Sequence, residues 1–158
     1  MGPGVTGELV DEQRTVSMVH QVVEVRATPE RVWERLTGPD HVGAWWRPGV
    51  VLEAVEGGEF AEPWRDLDGI ERTTRGRVEA VETGQMLRLS WRDEDWPTPT
   101  TVTVRLVRIP RGTRVIVDHS GFERLPNADA MRHAHAHGWR RHLQALRSYV
   151  EQGVGRGS

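Results

Sequence analysis

The chain has 158 residues, with 21 Arg and no Lys against 23 Asp and Glu, a formal net charge of -2, seven Trp and no Cys. This length points to one domain, and surface scaling lets such a chain bury roughly 70% of its unfolded surface, enough for a core or an internal cavity. The charge leaves no positive excess for a non-specific hold on nucleic acid or anionic lipid, and the missing Cys excludes disulfides, thiolate metal sites and Cys nucleophiles. No apolar run approaches ~18 residues, and nothing near Met1 pairs a charged segment with an apolar one, so the expectation is a cytoplasmic protein without a membrane span. Seven Trp against two Phe and one Tyr is the imbalance to explain.

Residues 1–14 carry Gly2, Pro3, Gly4 and Gly7 and no sustained apolar period, and read as a flexible arm. Gly2 to Gly7 fits G-x-G-x-x-G, and Met1-Gly2 with Thr6 fits a myristoylation pattern. With no strand before Gly2 and with Pro3 in the middle, both are chance matches. One continuous domain is expected over residues 15–152, and a frayed tail over 153–158. Val16–Ala27 alternates as a strand, with Val19, Val23, Val25 and Ala27 on one face. Thr28-Pro29-Glu30-Arg31 starts a helix, with Thr as N-cap and Pro in the first turn, and Val32, Trp33 and Leu36 form its apolar stripe. Gly38-Pro39-Asp40 ends it, and a second short helix runs to Trp45-Trp46.

From Val50 the pattern is strand-like: Val50–Ala54, Glu59–Trp64, Thr73–Val81, Met86–Arg92, Thr101–Ile109 and Thr113–Phe122, separated by Gly or Pro turns. The last element is a helix of about 25 residues from Ala128 to Gln152, whose 100° spacing puts Met131, His135, Trp139, His142, Leu143, Leu146 and Val150 on one face. A twisted antiparallel sheet receiving one long amphipathic helix is an α+β two-layer solution, with room for a cavity where the sheet curls.

His133-Ala134-His135-Ala136-His137 invites a metal reading. On a helix His133 and His137 share a face while His135 points roughly 160–180° away, so a three-His site is excluded and no metal is expected. His135 and His142 instead lie on the buried face, and His119 shares a strand face with Thr113, Val115 and Val117. Inward imidazoles need partners, in each other, in backbone or water, or in a ligand's polar group. Glu62 shares an alternating strand face with Phe60 and Trp64, from which a bulge at Pro63 would rotate it; beside a histidine it would act as a general base. Trp33, Trp91 and Trp139 fall at core positions. Trp45, Trp46, Trp64 and Trp96 fall at element ends or in a Pro-rich loop where a cavity mouth would be, and Asp93 to Pro97 reads as an exposed turn. Asp118 should face solvent. No hydrolase triad, Walker loop or zinc-protease motif is present.

Several motifs in order resemble a known family: Ala27-Thr28-Pro29-Glu30-Arg31-Val32-Trp33 with Leu36-Thr37, Trp45-Trp46, Gly57-Gly58-Glu59-Phe60, Gly76-Arg77-Val78, Leu87 to Trp91, Thr113-Arg114 to His119-Ser120-Gly121-Phe122, and Gly138-Trp139 with Leu143 and Leu146. They resemble the SRPBCC superfamily, with its START and birch-pollen-allergen-like helix-grip fold, in the branch related to the activator of heat-shock-protein ATPase. His137 departs from the Gly common there, at a solvent-facing position. The resemblance spans about residues 16–152. It implies a seven-stranded curved antiparallel sheet wrapped round a long C-terminal helix, two short helices after strand 1, and a cavity for an apolar ligand. Relatives include lipid carriers, hormone receptors, polyketide aromatase/cyclases, enediyne self-resistance proteins and co-chaperone domains.

The expected function is therefore binding of a hydrophobic or polycyclic small molecule, by a monomer or homodimer without cofactor. The ligand-contact candidates are Trp46 at the end of the second short helix, Phe60, Glu62, Trp64, Trp91 and His119 from the strands, and Met131, His135, Gly138, Trp139 and His142 from the last helix. An antibiotic-pathway protein is the alternative, either an enediyne-binding resistance protein or an aromatase/cyclase, and a co-chaperone-like interaction module is the second. If there is turnover, His135 and Glu62 are the proton-transfer candidates.

Overall fold

The computed structural model describes residues 18–155; the arm over 1–14, its Gly2–Gly7 pattern and the tail residues 156–158 lie outside them. Seven strands run in chain order as β1 (Val19–Val25), β2 (Val51–Leu52), β3 (Glu59–Arg65), β4 (Glu71–Glu82), β5 (Met86–Trp91), β6 (Thr100–Ile109) and β7 (Gly112–Ser120). They form one antiparallel sheet in the order β1-β7-β6-β5-β4-β3-β2, so each strand from β2 to β7 pairs with its neighbour in sequence and β1 closes on β7. Helices α1 (Pro29–Thr37) and α2 (Pro39–Trp45) follow β1, and α3 (Ala128–Gly155) ends the described chain. The α+β helix-grip architecture is as expected, with α3 packed against β1, α1 and α2.

Local chemistry sets the boundaries. The Thr28 hydroxyl accepts the Arg31 N–H at 3.2 Å and Pro29 opens α1, satisfying one orphan donor and fixing φ. Gly38 serves as C-cap of α1 and N-cap of α2. A Cβ there would lie 2.6 Å from the Glu34 carbonyl, so a larger residue would splay the two helices. β7 stops at Ser120, two residues before the expected end, because Gly121 takes φ 104 and turns the chain into a short 3-10 turn at Phe122–Arg124. At the other end, α3 runs past Gln152 to Gly155.

Pro63 does not break β3. Pairing with β4 is continuous from Glu59↔Arg77 to Arg65↔Glu71, while β2 pairs only with Phe60 and Ala61. At Pro63 the strand has one neighbour, so the missing N–H falls on the open edge and Glu62 keeps its inward direction. The inner faces alternate as the sequence indicates: Thr113, Val115, Val117 and His119 are all buried, and Val78, Leu87, Leu89, Val102 and Val104 line the same core.

Candidate functional site

The middle of the sheet and the N-terminal half of α3 enclose a cluster of aromatic rings. Trp91 on β5 stacks on Phe60 of β3 with centroids 5.1 Å apart, meets Trp139 of α3 at 5.3 Å, and stacks on Trp46 at 6.0 Å. Trp46 also packs on His142 at 5.0 Å. Ring pairs at these separations add attraction beyond area burial.

His119 lies under this cluster and is 0% exposed. The Trp139 Nε1–H donates to its Nδ1 at 3.0 Å, and indole nitrogen only donates, so Nδ1 carries a lone pair. The proton must then sit on Nε2, which donates to Thr100 Oγ1 at 2.7 Å, and that hydroxyl donates to the Trp91 carbonyl at 2.8 Å. Every polar atom of the relay is satisfied by the protein. Burial, with the nearby His135 adding to it, holds the His119 pKa well below the ordinary value, so the ring is neutral.

Beside the cluster a cleft of about 340 Å³ opens between sheet and helix. Of the eleven candidate residues, Glu62, Trp64 and Trp91 line it from the sheet, and Met131, His135, Gly138, Trp139 and His142 line it from α3. Trp46, Phe60 and His119 do not line it; they form the layer behind, Phe60 and His119 being fully buried. Sequence periodicity finds the inner face but not how deep a side chain sits on it. Arg47, Arg65, Thr74, Asp93 and Ala134 complete the wall and were not foreseen. For Asp93 a signal existed: it lies two residues beyond Trp91, on the same strand face.

The acidic loop after β5 folds inward. The Trp64 Nε1–H donates to Thr74 Oγ1 at 3.0 Å, and Thr74 donates to Asp93 Oδ1 at 2.5 Å. Glu94 Oε1 accepts the Thr73 N–H at 2.9 Å, and the Arg92 side chain donates to the Trp96 carbonyl at 2.7 Å. These bonds pull the loop onto the end of the sheet. Trp96, expected in an exposed turn, is 4% exposed and packs on His135 at 5.2 Å and Phe122 at 6.2 Å. Trp45, expected near the mouth, is in the core with its Nε1–H on the Leu36 carbonyl. Asp118 does lie on the outer face, bonded to His20 at 2.6 Å.

Glu62 is 5% exposed, and its Oε2 accepts from Trp46 Nε1 at 3.2 Å with Arg47 3.8 Å away. Burial pushes its pKa up, against the pull of Arg47 and the Trp46 hydrogen bond. It pairs with no histidine. The carboxylate near His135 is Asp93, also raised by burial. His135 donates Nδ1–H to the Met131 carbonyl at 2.8 Å, which leaves Nε2 as an acceptor, and burial lowers its pKa. His142 is lowered to about 4, mainly by burial and then by Arg47 and Arg141. Two carboxyls raised by burial and two imidazoles lowered by it thus share one cleft, an arrangement that can orient the polar groups of a ligand. His133 and His137 are exposed on the opposite side of α3. Among the described residues no three His, Asp or Glu side chains converge to hold a metal ion, and no helix is long and apolar enough to cross a membrane.

An open antiparallel sheet gripping one long helix over an aromatic cleft defines a small-molecule-binding class of fold. The chain belongs to the Activator of Hsp90 ATPase homolog 1-like protein family, whose model matches residues 26–151. It is similar to the crystal structure of MLL2253 from Mesorhizobium loti, at 22% identity and TM-score 0.72 over 85% of this chain and 97% of that one. A protein from Rhodobacter sphaeroides is 26% identical with TM-score 0.72, over 87% of this chain and 93% of that one. DynU16, a protein in the dynemicin biosynthetic locus, is 23% identical with TM-score 0.71 over 87% of this chain, which spans 48% of DynU16. No curated protein matches the sequence.

Proposed function

We propose that the protein binds a hydrophobic or polycyclic small molecule in the cleft between the sheet and α3. The carrying observation is the cleft itself: about 340 Å³, walled by Trp91, Trp139 and Met131, with Glu62, Asp93, His135 and His142 at defined points. A few polar groups on an aromatic wall, in a volume at the lower end of the ~300–1,000 Å³ pocket range, suit a ligand of roughly two or three fused rings.

Gly138 provides the test. A Cβ added there would meet nothing within 4 Å, and the residue lines the cleft. Gly138→Leu fills the space from the helix side without disturbing the core. Titration with fused-ring ligands, followed by calorimetry and thermal shift, should show binding to the parent chain and a loss of about tenfold or more in Gly138→Leu. Unchanged affinity in that variant defeats the proposal. If a ligand is converted, turnover should fall in His135→Ala and Glu62→Ala.

Likeness to DynU16 favours a second reading, a role in an antibiotic pathway. Mass spectrometry after exposure to an activated enediyne separates this from simple binding, since an intact chain excludes self-sacrifice. A co-chaperone-like module is supported less, because it calls for a filled interior and a broad apolar patch.

A further inference from the structure

We infer that the ligand of this cleft is a planar molecule carrying neutral hydrogen-bond donors, a phenol, enol or aryl N–H, rather than a bare hydrocarbon or an acceptor-only molecule such as an ether or quinone. This inference rests on the cleft-binding reading and deepens it.

On the indole, hydroxyl and His135 side of the wall the donors are engaged by the protein. Trp64 Nε1–H goes to Thr74, the Thr74 hydroxyl goes to Asp93, and Trp139 Nε1–H goes to His119. The His135 Nδ1–H goes to the Met131 carbonyl. Trp91 Nε1–H makes no hydrogen bond, but it is sealed from solvent within the ring cluster and so is out of a ligand's reach. The guanidinium groups of Arg47 and Arg65 stand nearer the solvent, with side chains 40% and 69% exposed; Arg47 donates to the Pro63 carbonyl and Arg65 to the Gly69 carbonyl and Glu71, and their spare N–H groups stay on the solvent side of the cleft, where water competes for them.

The acceptors are in the opposite condition. Glu62 uses one carboxyl oxygen on Trp46, and Asp93 uses one on Thr74; the second oxygen of each makes no hydrogen bond among the described residues. His135 Nε2, fixed as an acceptor by the Met131 carbonyl, is likewise without a protein partner. His142 has no hydrogen-bond partner among the described residues and, as a neutral ring, offers one donor and one acceptor. None of these atoms is among the sealed, unsatisfied ones, so each keeps accessible surface on a residue that lines the cleft. Against ionised Glu62 and Asp93 and the His135 Nε2 lone pair, a ligand that brings only acceptors would set lone pair against lone pair and lose its own water. A donor-bearing ring satisfies both sides, and the loss of a buried partner is the larger penalty.

The test uses the full chain and three probes of nearly one shape: naphthalene, naphthol and methoxynaphthalene, measured by calorimetry. Naphthol should bind about tenfold or more tightly than methoxynaphthalene, the size of one buried hydrogen bond to a charged or strongly polar acceptor. In Glu62→Gln and Asp93→Asn, checked for folding by circular dichroism, that preference should shrink to about threefold or less. Equal affinity for naphthol and methoxynaphthalene, lost in Gly138→Leu, overturns the donor-bearing class and leaves cleft binding standing. No binding of any probe, or binding that Gly138→Leu does not touch, overturns both.

Discussion

At the scale of single residues, the histidines divide by what they bond. His119 is engaged at both ring nitrogens and belongs to the framework, while His135 and His142 keep hydrogen-bonding capacity for the cleft. Thr100→Val keeps the shape but strands the His119 Nε2–H, and should cost about 1–3 kcal/mol in urea denaturation. The pH behaviour follows from the sign of the shifts. A histidine lowered in the folded state is protonated first in the unfolded chain. Its contribution is complete above the ordinary value of 6.5 and is lost as pH falls toward the folded value, about 4 for His142. Glu62 and Asp93 are raised, so their contribution runs the other way and is lost as pH rises through their folded values. Comparing His142→Phe with the parent isolates one term. The variant's relative stability should improve by up to about 1.4 kcal/mol for each pH unit lost between the two histidine values. Parallel stability curves would show that His142 is not buried in neutral form.

At the scale of elements, Gly76 governs how β4 meets β5. A Cβ there would lie 1.8 Å from the Ser90 carbonyl oxygen, and the β4–β5 register shifts between Val78 and Ala80. Gly76→Ala therefore has to push β5 away, and should cost about 1–3 kcal/mol or more, read as a drop in the denaturation midpoint. Gly138 is the opposite case. With open space on its cleft side, Gly138→Ala should raise stability by about 0.5–1 kcal/mol through helix propensity while narrowing the cleft. The sequence carries the periodicity that built these elements: Thr28-Pro29 begins α1, the Thr113–His119 alternation sets the inner face of β7, and the i, i+4, i+7 stripe places Met131, His135 and His142 together on α3. It misplaces Trp96, because Asp93-Glu94-Asp95-Trp96-Pro97 has the composition of an exposed turn. Only contacts with Phe122 and His135, distant in sequence, make that Trp a core residue.

At the scale of the whole molecule, the Trp surplus resolves into layers. Trp33, Trp45 and Trp96 pack the core, Trp46 backs the cleft, Trp91 and Trp139 wall it, and Trp64 stands half-buried at its side. A ligand that binds only the folded chain stabilises it by mass action, about 2.7 kcal/mol at a hundredfold excess over Kd. An increase of that order in the denaturation free energy, absent in Gly138→Leu, would tie the stabilisation to the cleft.

The sequence by itself determined the α+β class, the seven strands, the three helices and the inward faces of β7 and α3, because strand and helix periods are local properties of the chain. The tertiary structure decided which inward residues a ligand can reach. His119 and Phe60 sit on the same inner surface as Trp91, yet the packing of α3 and the β5–β6 register, which sets Thr100 opposite Trp91, close the relay over His119 and leave Glu62, Asp93 and His135 open. Depth and partner choice depend on residues far apart in the chain, and no local pattern encodes them.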